Sequence, residues 1–538
     1  MKLPELSESA EPEFTDADSC KRWLEHVPLA NVGAAQRDLT AQLAEFNRFP
    51  TASAQRLAVM EALREAVSFV QIEQARRFSN RALPMSEPEA AAFTATIALW
   101  DEMRVGYERC LDAALNRDAG MRAQAALISQ RLLSYIGLRM FHHYRAYREV
   151  PAGDWQSLHA AYAAAEKLDV AEDTVKDFLN RDIQDTSARS AYVRAVLMGM
   201  CSPNELAQRQ LTFVAYLLER WASKLEVAAK PVDEGEGVAP LVADLESDAC
   251  PERGAAEGAR EPRYLDARKL AKSLRNRVAL LRKGESPAKL ALGEDCVQPS
   301  CEQLLVHLYR QWCAAKASRA PERNAAGGAG AELCSELPAI HHYISGGTFR
   351  LPGAQVDVEL TQKQREEIAT FGRVSTRAEE DYSGDHGYAI EQWQMEDQSA
   401  QGLRLARPAA QGGKRLAHGQ LVGVRPADGK QFMLAQVRWL MAAGNGDLHV
   451  GVKLIPGLPT PLAVRPTGLN VQQESWLPAI ALSASPALNS PASLVLSSGL
   501  YKPKRVIELH AENSPKVRLT EVLERGADFE RVAYEPVT

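Results

Sequence analysis

The chain has 538 residues, 46% of them hydrophobic and 25% charged, a balance that excludes disorder throughout. Its net charge of −6 excludes the global basic footprint of a DNA- or RNA-binding protein. No run approaches ~20 consecutive apolar residues, so membrane insertion is not expected. Residues 1–18 are acidic and lack the apolar core of a secretory leader. The eight cysteines contain no C-x-x-C pair, and with no leader they read as reduced thiols in a cytoplasm. The length suggests about three or four domains.

Residues 1–228 read as helical. Leu57, Met60, Leu63, Val67 and Val70 recur at steps of three and four, which places them on one helix face. Leu127, Leu132, Leu133, Ile136 and Met140 do the same within 122–148. A helix is expected from about Trp155, with Leu158 and Tyr162 on one side. Asp185, Thr186 and Ser187 supply cap chemistry before another at 189–200, and Pro203 opens the next. The expected architecture is an all-helical bundle or solenoid.

From 229 to 262 Ala, Gly, Pro and acidic residues dominate, with too little apolar surface to offset ordering entropy. This stretch reads as a flexible acidic linker. A helical segment is expected over 263–317, with Leu304, Leu305, Leu308 and Trp312 as its apolar face. Residues 318–365 read as linker and loop.

Past residue 385 the period changes to two. Tyr388–Met395, Gln420–Arg425, Phe432–Leu440 and Leu448–Leu454 read as strands, with Pro426–Gly429 and Asn445-Gly446 as turns. Short strands at this spacing predict an antiparallel β-barrel over 366–460. Ser493–Leu496, Arg505–His510, Lys516–Thr520 and Phe529–Tyr534 predict a second small β module over 461–538. The fold class is multidomain α+β.

Two motifs stand just before and inside the first set of strands. Arg373-Val-Ser-Thr-Arg377 is an R-x-x-x-R, and Asp397-Gln-Ser399-Ala-Gln-Gly402 is a D-x-S-x-x-G. Composition alone yields about three of the first pattern but only about 0.2 of the second, so the second carries the weight. Asp, Ser and Gly also favour a plain β-turn. What distinguishes this pair is its order, its spacing of about twenty residues, and the strands that follow. With Gln436-Val437-Arg438-Trp439 and Val450-Gly451-Val452 downstream, residues 370–460 resemble the PilZ family, receptors for cyclic di-GMP built on a small β-barrel. The resemblance implies a cyclic di-GMP site at Arg373, Arg377, Asp397, Ser399 and Gly402.

The chemistry is apt. An arginine fork can pair with phosphate or with guanine O6 and N7, and its plane can stack on a purine. Asp397 can accept from the N1–H and N2–H₂ edge of guanine, Ser399 adds a small donor and acceptor, and Gly402 permits close backbone approach. Glu379, Glu380 and Asp381 directly after Arg377 oppose phosphate attraction, and the short interval between the motifs leaves the first barrel strand short. These departures motivate the alternative of an interaction scaffold whose barrel does not bind nucleotide.

Other candidates are weaker. His341-His342 would point to opposite faces of a strand, and His142-His143 lacks the i, i+4 spacing of a zinc helix. Cys296 and Cys301 read as ordinary thiols. Trp439 reads as a core or rim residue, and Trp155 and Trp221 as packing anchors. No nucleophile–base set is evident, so no catalysis, metal or cofactor is expected. The sequence predicts a cytoplasmic effector that couples cyclic di-GMP binding to a protein partner through its helical part.

Overall fold

The computed structural model describes residues 3–231, 238–254, 256–293, 295–297, 300–314, 324–347, 349, 388–467, 475–511 and 515–537. It divides into two compact units: Met1–Arg81 with Met85–Arg319, and Ala82–Pro84 with Ala320–Thr538.

The first unit is helical. Its helices are α1 (Ala17–Leu24), α2 (Val32–Arg48), α3 (Ser53–Ala75), α4 (Glu87–Leu115), α5 (Ala119–Ala123), α6 (Ala125–Arg145), α7 (Asp154–Lys167), α8 (Ala188–Met200), α9 (Gln208–Trp221), α10 (Arg268–Arg282) and α11 (Ser300–Trp312). Local chemistry sets the starts. The Asp16 carboxylate accepts from the Ser19 backbone N–H at 2.8 Å, and the Ser187 hydroxyl accepts from that of Ser190 at 3.1 Å. α2, α4, α6 and α8 pack in succession, with α3 against α4 and α7 against α6. The periodic residues of α3 are all buried, as are Trp155 and Trp221. No described helix is long and apolar enough to cross a membrane.

Several expectations need correction. Pro203 opens a short 3-10 turn, and α9 begins only at Gln208, where the Gln210 side chain accepts from the Ala207 N–H at 2.9 Å. Residues 1–228 are not wholly helical. A small antiparallel pair, β1 (Val175–Lys176) and β2 (Asp185–Thr186), interrupts them, and β3 (Glu226–Ala228) ends them.

The stretch 229–262 is also more than a linker. β4 (Leu241–Asp244), β5 (Glu252–Arg253) and β6 (Pro262–Asp266) join β3 in a sheet of order β3-β6-β4-β5. Its few apolar residues suffice because Leu241, Ala243 and Leu265 enter the helical core. The acidity is partly structural: the Asp244 carboxylate accepts backbone N–H groups from Glu246, Arg260 and Glu261 at 3.1–3.2 Å. The helices of 263–317 share that core, and the Trp312 indole N–H donates to the Leu197 carbonyl at 2.8 Å. Cys296 and Cys301 are joined as a disulfide rather than standing as separate thiols.

The second unit holds two closed antiparallel barrels. Strands β7 (Asn324–Ala325) and β8 (Gly330–Ser335) precede α12 (Leu337–Ser345). Then come β9 (Glu391–Ser399), β10 (Gly402–Arg407), β11 (Leu421–Pro426), β12 (Met433–Ala442) and β13 (Leu448–Leu454). The order β10-β13-β12-β11-β8-β9 closes through β9–β10, with β7 on the flank of β9. Residues 318–365, read as linker and loop, thus supply a barrel strand. Ala331, Leu333 and Cys334 of β8 are each 1% exposed, so long-range pairing overrides a Gly- and Ala-rich surrounding. His341 and His342 lie on α12, not on a strand.

The second barrel is β14 (Pro459–Pro466), β15 (Leu477–Leu482), β16 (Ser493–Ser497), β17 (Val506–Leu509), β18 (Lys516–Arg525) and β19 (Phe529–Pro536), in the order β14-β15-β16-β19-β18-β17. α12 packs on β8 and β11 of the first barrel and on β14 and β15 of the second. Leu337 and Ile340 share one core with Leu421, Ile480 and Phe529. The Leu421 N–H donates to the Asp528 carboxylate at 2.9 Å, tying the barrels together.

Candidate functional site

The D-x-S-x-x-G motif is the β9–β10 hairpin. The Ser399 hydroxyl donates to the Gly402 carbonyl at 3.2 Å and accepts the Gln401 N–H at 3.4 Å, which closes the turn. Gly402 is required by close approach: a Cβ there would stand 2.5 Å from the Val452 carbonyl oxygen on β13. The turn reading and the site reading therefore apply to the same residues.

A bulge just before the turn sets which side chains share the outer face. Met395 pairs with Leu405 and Asp397 with Arg404, so Glu396 has no opposite number. Met395 and Leu405 are buried in the barrel. Past the bulge, two cross-strand rows run over β9, β10, β13 and β12. One is Asp397, Arg404, Gly451, Trp439. The other is Ser399, Gly402, Lys453, Gln436. Residues directly opposite on adjacent strands project to the same side, so each row forms one strip, the second running into the buried Gln436.

The first strip is tightly built. A Cβ at Gly451 would fall 1.9 Å from the Trp439 indole nitrogen, so the glycine lets that ring lie across β13. The Arg404 guanidinium then stands 5.7 Å from the ring centroid, at cation–π range. Arg404 is ion-paired with Glu396, whose other oxygen lies 3.1 Å from His449 Nδ1. The Arg438 guanidinium donates to the Gln436 side-chain oxygen at 3.2 Å, and the Lys453 ammonium is 3.8 Å from Glu524. The strip thus offers a carboxylate acceptor, a hydroxyl, cationic groups and a half-buried indole side by side, a set able to receive a flat, polar, anionic ligand.

Asp397, Ser399 and Gly402 are brought together on this face. Arg373 and Arg377, with the acidic run Glu379–Asp381, lie outside the described residues. Sequence reasoning missed Arg404 and Lys453 as members of the face, and placed Trp439 only at the core or rim. The rim is where it stands. The signal that could have found them was the glycine of Val450-Gly451-Val452 set against the tryptophan of the preceding strand. Among the described residues no group of three His, Cys, Asp or Glu side chains could hold a metal ion.

The comparisons with known proteins divide the chain into three matched segments. Residues 351–461 match the family model described as the middle PilZ domain of the cyclic-di-GMP receptor FimW. This segment is a PilZ domain. Flanking the PilZ domain, residues 18–231 match the FimW N-terminal domain and 462–537 the FimW C-terminal beta-barrel domain. A Pseudomonas aeruginosa protein named cyclic-di-GMP receptor FimW is 25% identical over 571 aligned residues, which cover 97% of this chain and 92% of that protein. No solved structure matches the chain. β8 and α12 precede the matched PilZ segment, yet β8 completes its barrel.

Proposed function

We propose that this protein is a cyclic di-GMP-binding effector of the cytoplasm, in which the outer face of the PilZ barrel takes the nucleotide and the helical unit engages a protein partner. The observation that carries this reading is the pair of ladder rows. They set Asp397 and Ser399 beside Arg404 and Trp439 within a segment matched to a PilZ domain. The similarity to a protein named as a cyclic-di-GMP receptor supports the same ligand.

In this reading Asp397 accepts from a guanine edge, Ser399 and the turn backbone contact the ligand, and Gly402 keeps the approach open. Arg373 and Arg377, from the preceding segment, pair with phosphate or guanine. The nucleotide is bound and released without chemical change, so the reading needs neither a nucleophile nor a cofactor. Binding shifts the helical unit's affinity for its partner only insofar as the two states differ in affinity for the ligand.

Calorimetric titration of cyclic di-GMP into the full chain tests the proposal, with Arg373→Ala and Asp397→Ala in parallel. Loss of a charged, hydrogen-bonded contact at a desolvated site costs about 2–5 kcal/mol, so each variant should bind at least ~10-fold more weakly. A folded parent without saturable binding would overturn the receptor reading. It would favour the scaffold reading that Glu379, Glu380 and Asp381 motivate.

A further inference from the structure

The helical unit contains a cavity of about 350 Å³ between α3, α4, α6, α8 and α9, within the range of small-molecule sites. Trp100, Leu138, Phe141 and Met198 form apolar parts of its wall. Its charged lining is unbalanced. Two carboxylates, Asp177 and Glu219, face the cavity with four arginines, 64, 145, 181 and 194. Asp177 is committed to Arg64 at 2.6 Å and to Arg131 at 3.3 Å, and Glu219 stands 3.8 Å from Arg194.

Arg181 and Arg145 have no such partner among the described residues; Arg181 is exposed and Arg145 is half-buried. Arg145 sits in the last turn of α6, where its guanidinium lies 5.8 Å from the Phe141 ring centroid. It forms no ion pair among the described residues, and its Nε is buried without a hydrogen-bond acceptor. Burial without a counter-charge pulls its pKa below the usual guanidinium value, to about 10.

One turn back on the same helix face is His142, 4% exposed and also in the cavity wall. Its Nδ1 lies 2.8 Å from the Leu138 carbonyl and 3.2 Å from the Trp100 indole nitrogen. Its Nε2 is buried with no partner. Burial among Phe78, Trp100 and Phe141, with Arg145 alongside, pushes its pKa down to about 3, so the ring is neutral. A half-buried guanidinium with no ion pair among the described residues and a buried Nε without an acceptor is unfavourable, and an anionic group in the cavity supplies the missing partner.

We infer that this cavity is a second ligand site, separate from the PilZ barrel, that takes a small organic anion with an apolar body. The anionic head pairs with Arg145, and the body packs on Trp100, Leu138 and Met198.

Fluorescence titration of the full-length protein with anilinonaphthalene sulfonate and its uncharged analogue N-phenylnaphthylamine tests this. The sulfonate should bind saturably at one site and more tightly than the neutral analogue. Arg145→Gln should weaken the sulfonate at least ~10-fold, about 1.4 kcal/mol, and leave the neutral analogue unchanged. Ala215→Trp, which fills the cavity from α9, should weaken both. The unfolding midpoint of Arg145→Gln should not fall, because the substitution removes a half-buried charge that has no ion pair among the described residues. Equal binding of the two probes to the parent, absence of a saturable site, or unchanged sulfonate affinity in Arg145→Gln would overturn the inference. So would a lowered midpoint for that variant, which would make Arg145 a structural group.

Discussion

The two barrels have the same strand number and the same antiparallel closure, yet they treat a buried arginine in opposite ways. In the PilZ barrel Arg407, 2% exposed, is paired with the buried Glu391 carboxylate and stacked 4.9 Å from the Trp393 ring centroid. Glu391 also accepts the Trp393 indole N–H at 3.2 Å and the Lys414 backbone N–H at 2.5 Å. In the C-terminal barrel Arg531, 6% exposed, bonds instead to hydroxyls, those of Ser493 at 2.9 Å and Ser490. Closing a sheet therefore does not dictate how charge is accommodated. The partner's own charge decides whether the arginine can be removed without harm.

Arg407→Met should give the largest effect. It strands a carboxylate in the barrel and should cost about 3–5 kcal/mol in denaturant unfolding. A loss below about 1 kcal/mol would break the contrast. Gly451→Ala comes next. The new methyl group must displace the Trp439 ring, an overpacking expected to cost about 1–3 kcal/mol. It should also shift tryptophan emission and weaken cyclic di-GMP in the titration. Arg531→Met should cost less than Arg407→Met, about 1–3 kcal/mol, since it leaves two buried hydroxyls rather than a charge.

The smallest effect is one of slope and lies at the junction of the barrels. Burial raises the Asp528 pKa above its usual value, while the Leu421 N–H it accepts opposes the shift. The folded state therefore favours the protonated carboxyl. This contribution stabilises most below pH ~4, the unfolded value, and is lost as pH rises through the raised folded pKa. Asp528→Asn should flatten that part of the stability–pH curve, read by thermal unfolding at stepped pH. An unchanged curve would remove Asp528 as its source.

Much of the architecture was legible in the residue pattern. The stripe of Leu57, Met60, Leu63, Val67 and Val70 is a buried helix face, and Ser187 caps α8 as its position suggested. The last four strands lie where period-two alternation put them. β8, α12 and the sheet around Leu241 were not legible. Each is short, sits in Gly-, Ala- or acid-rich sequence, and is stabilised by partners far along the chain. β8 pairs with β11 some ninety residues later, as Glu332 does with Arg425. Of the candidate site, the hairpin residues Asp397, Ser399 and Gly402 could be named from one motif. Arg404 and Lys453 could not, because one bulge at Glu396 decides which side of β9 the motif shares with them.

By itself, then, the sequence determined the helical and β-rich halves, the PilZ motif and the chemistry those side chains could perform. Side-chain periodicity and turn preference are local properties, and they survive in any fold that the chain adopts. Tertiary structure alone decided that an upstream strand completes the PilZ barrel. It decided too that Gly451 makes room for Trp439 beside Arg404, and that Arg145 is half-buried with no ion pair among the described residues. These depend on register and on burial, which arise only when residues distant in sequence share a ladder or a core.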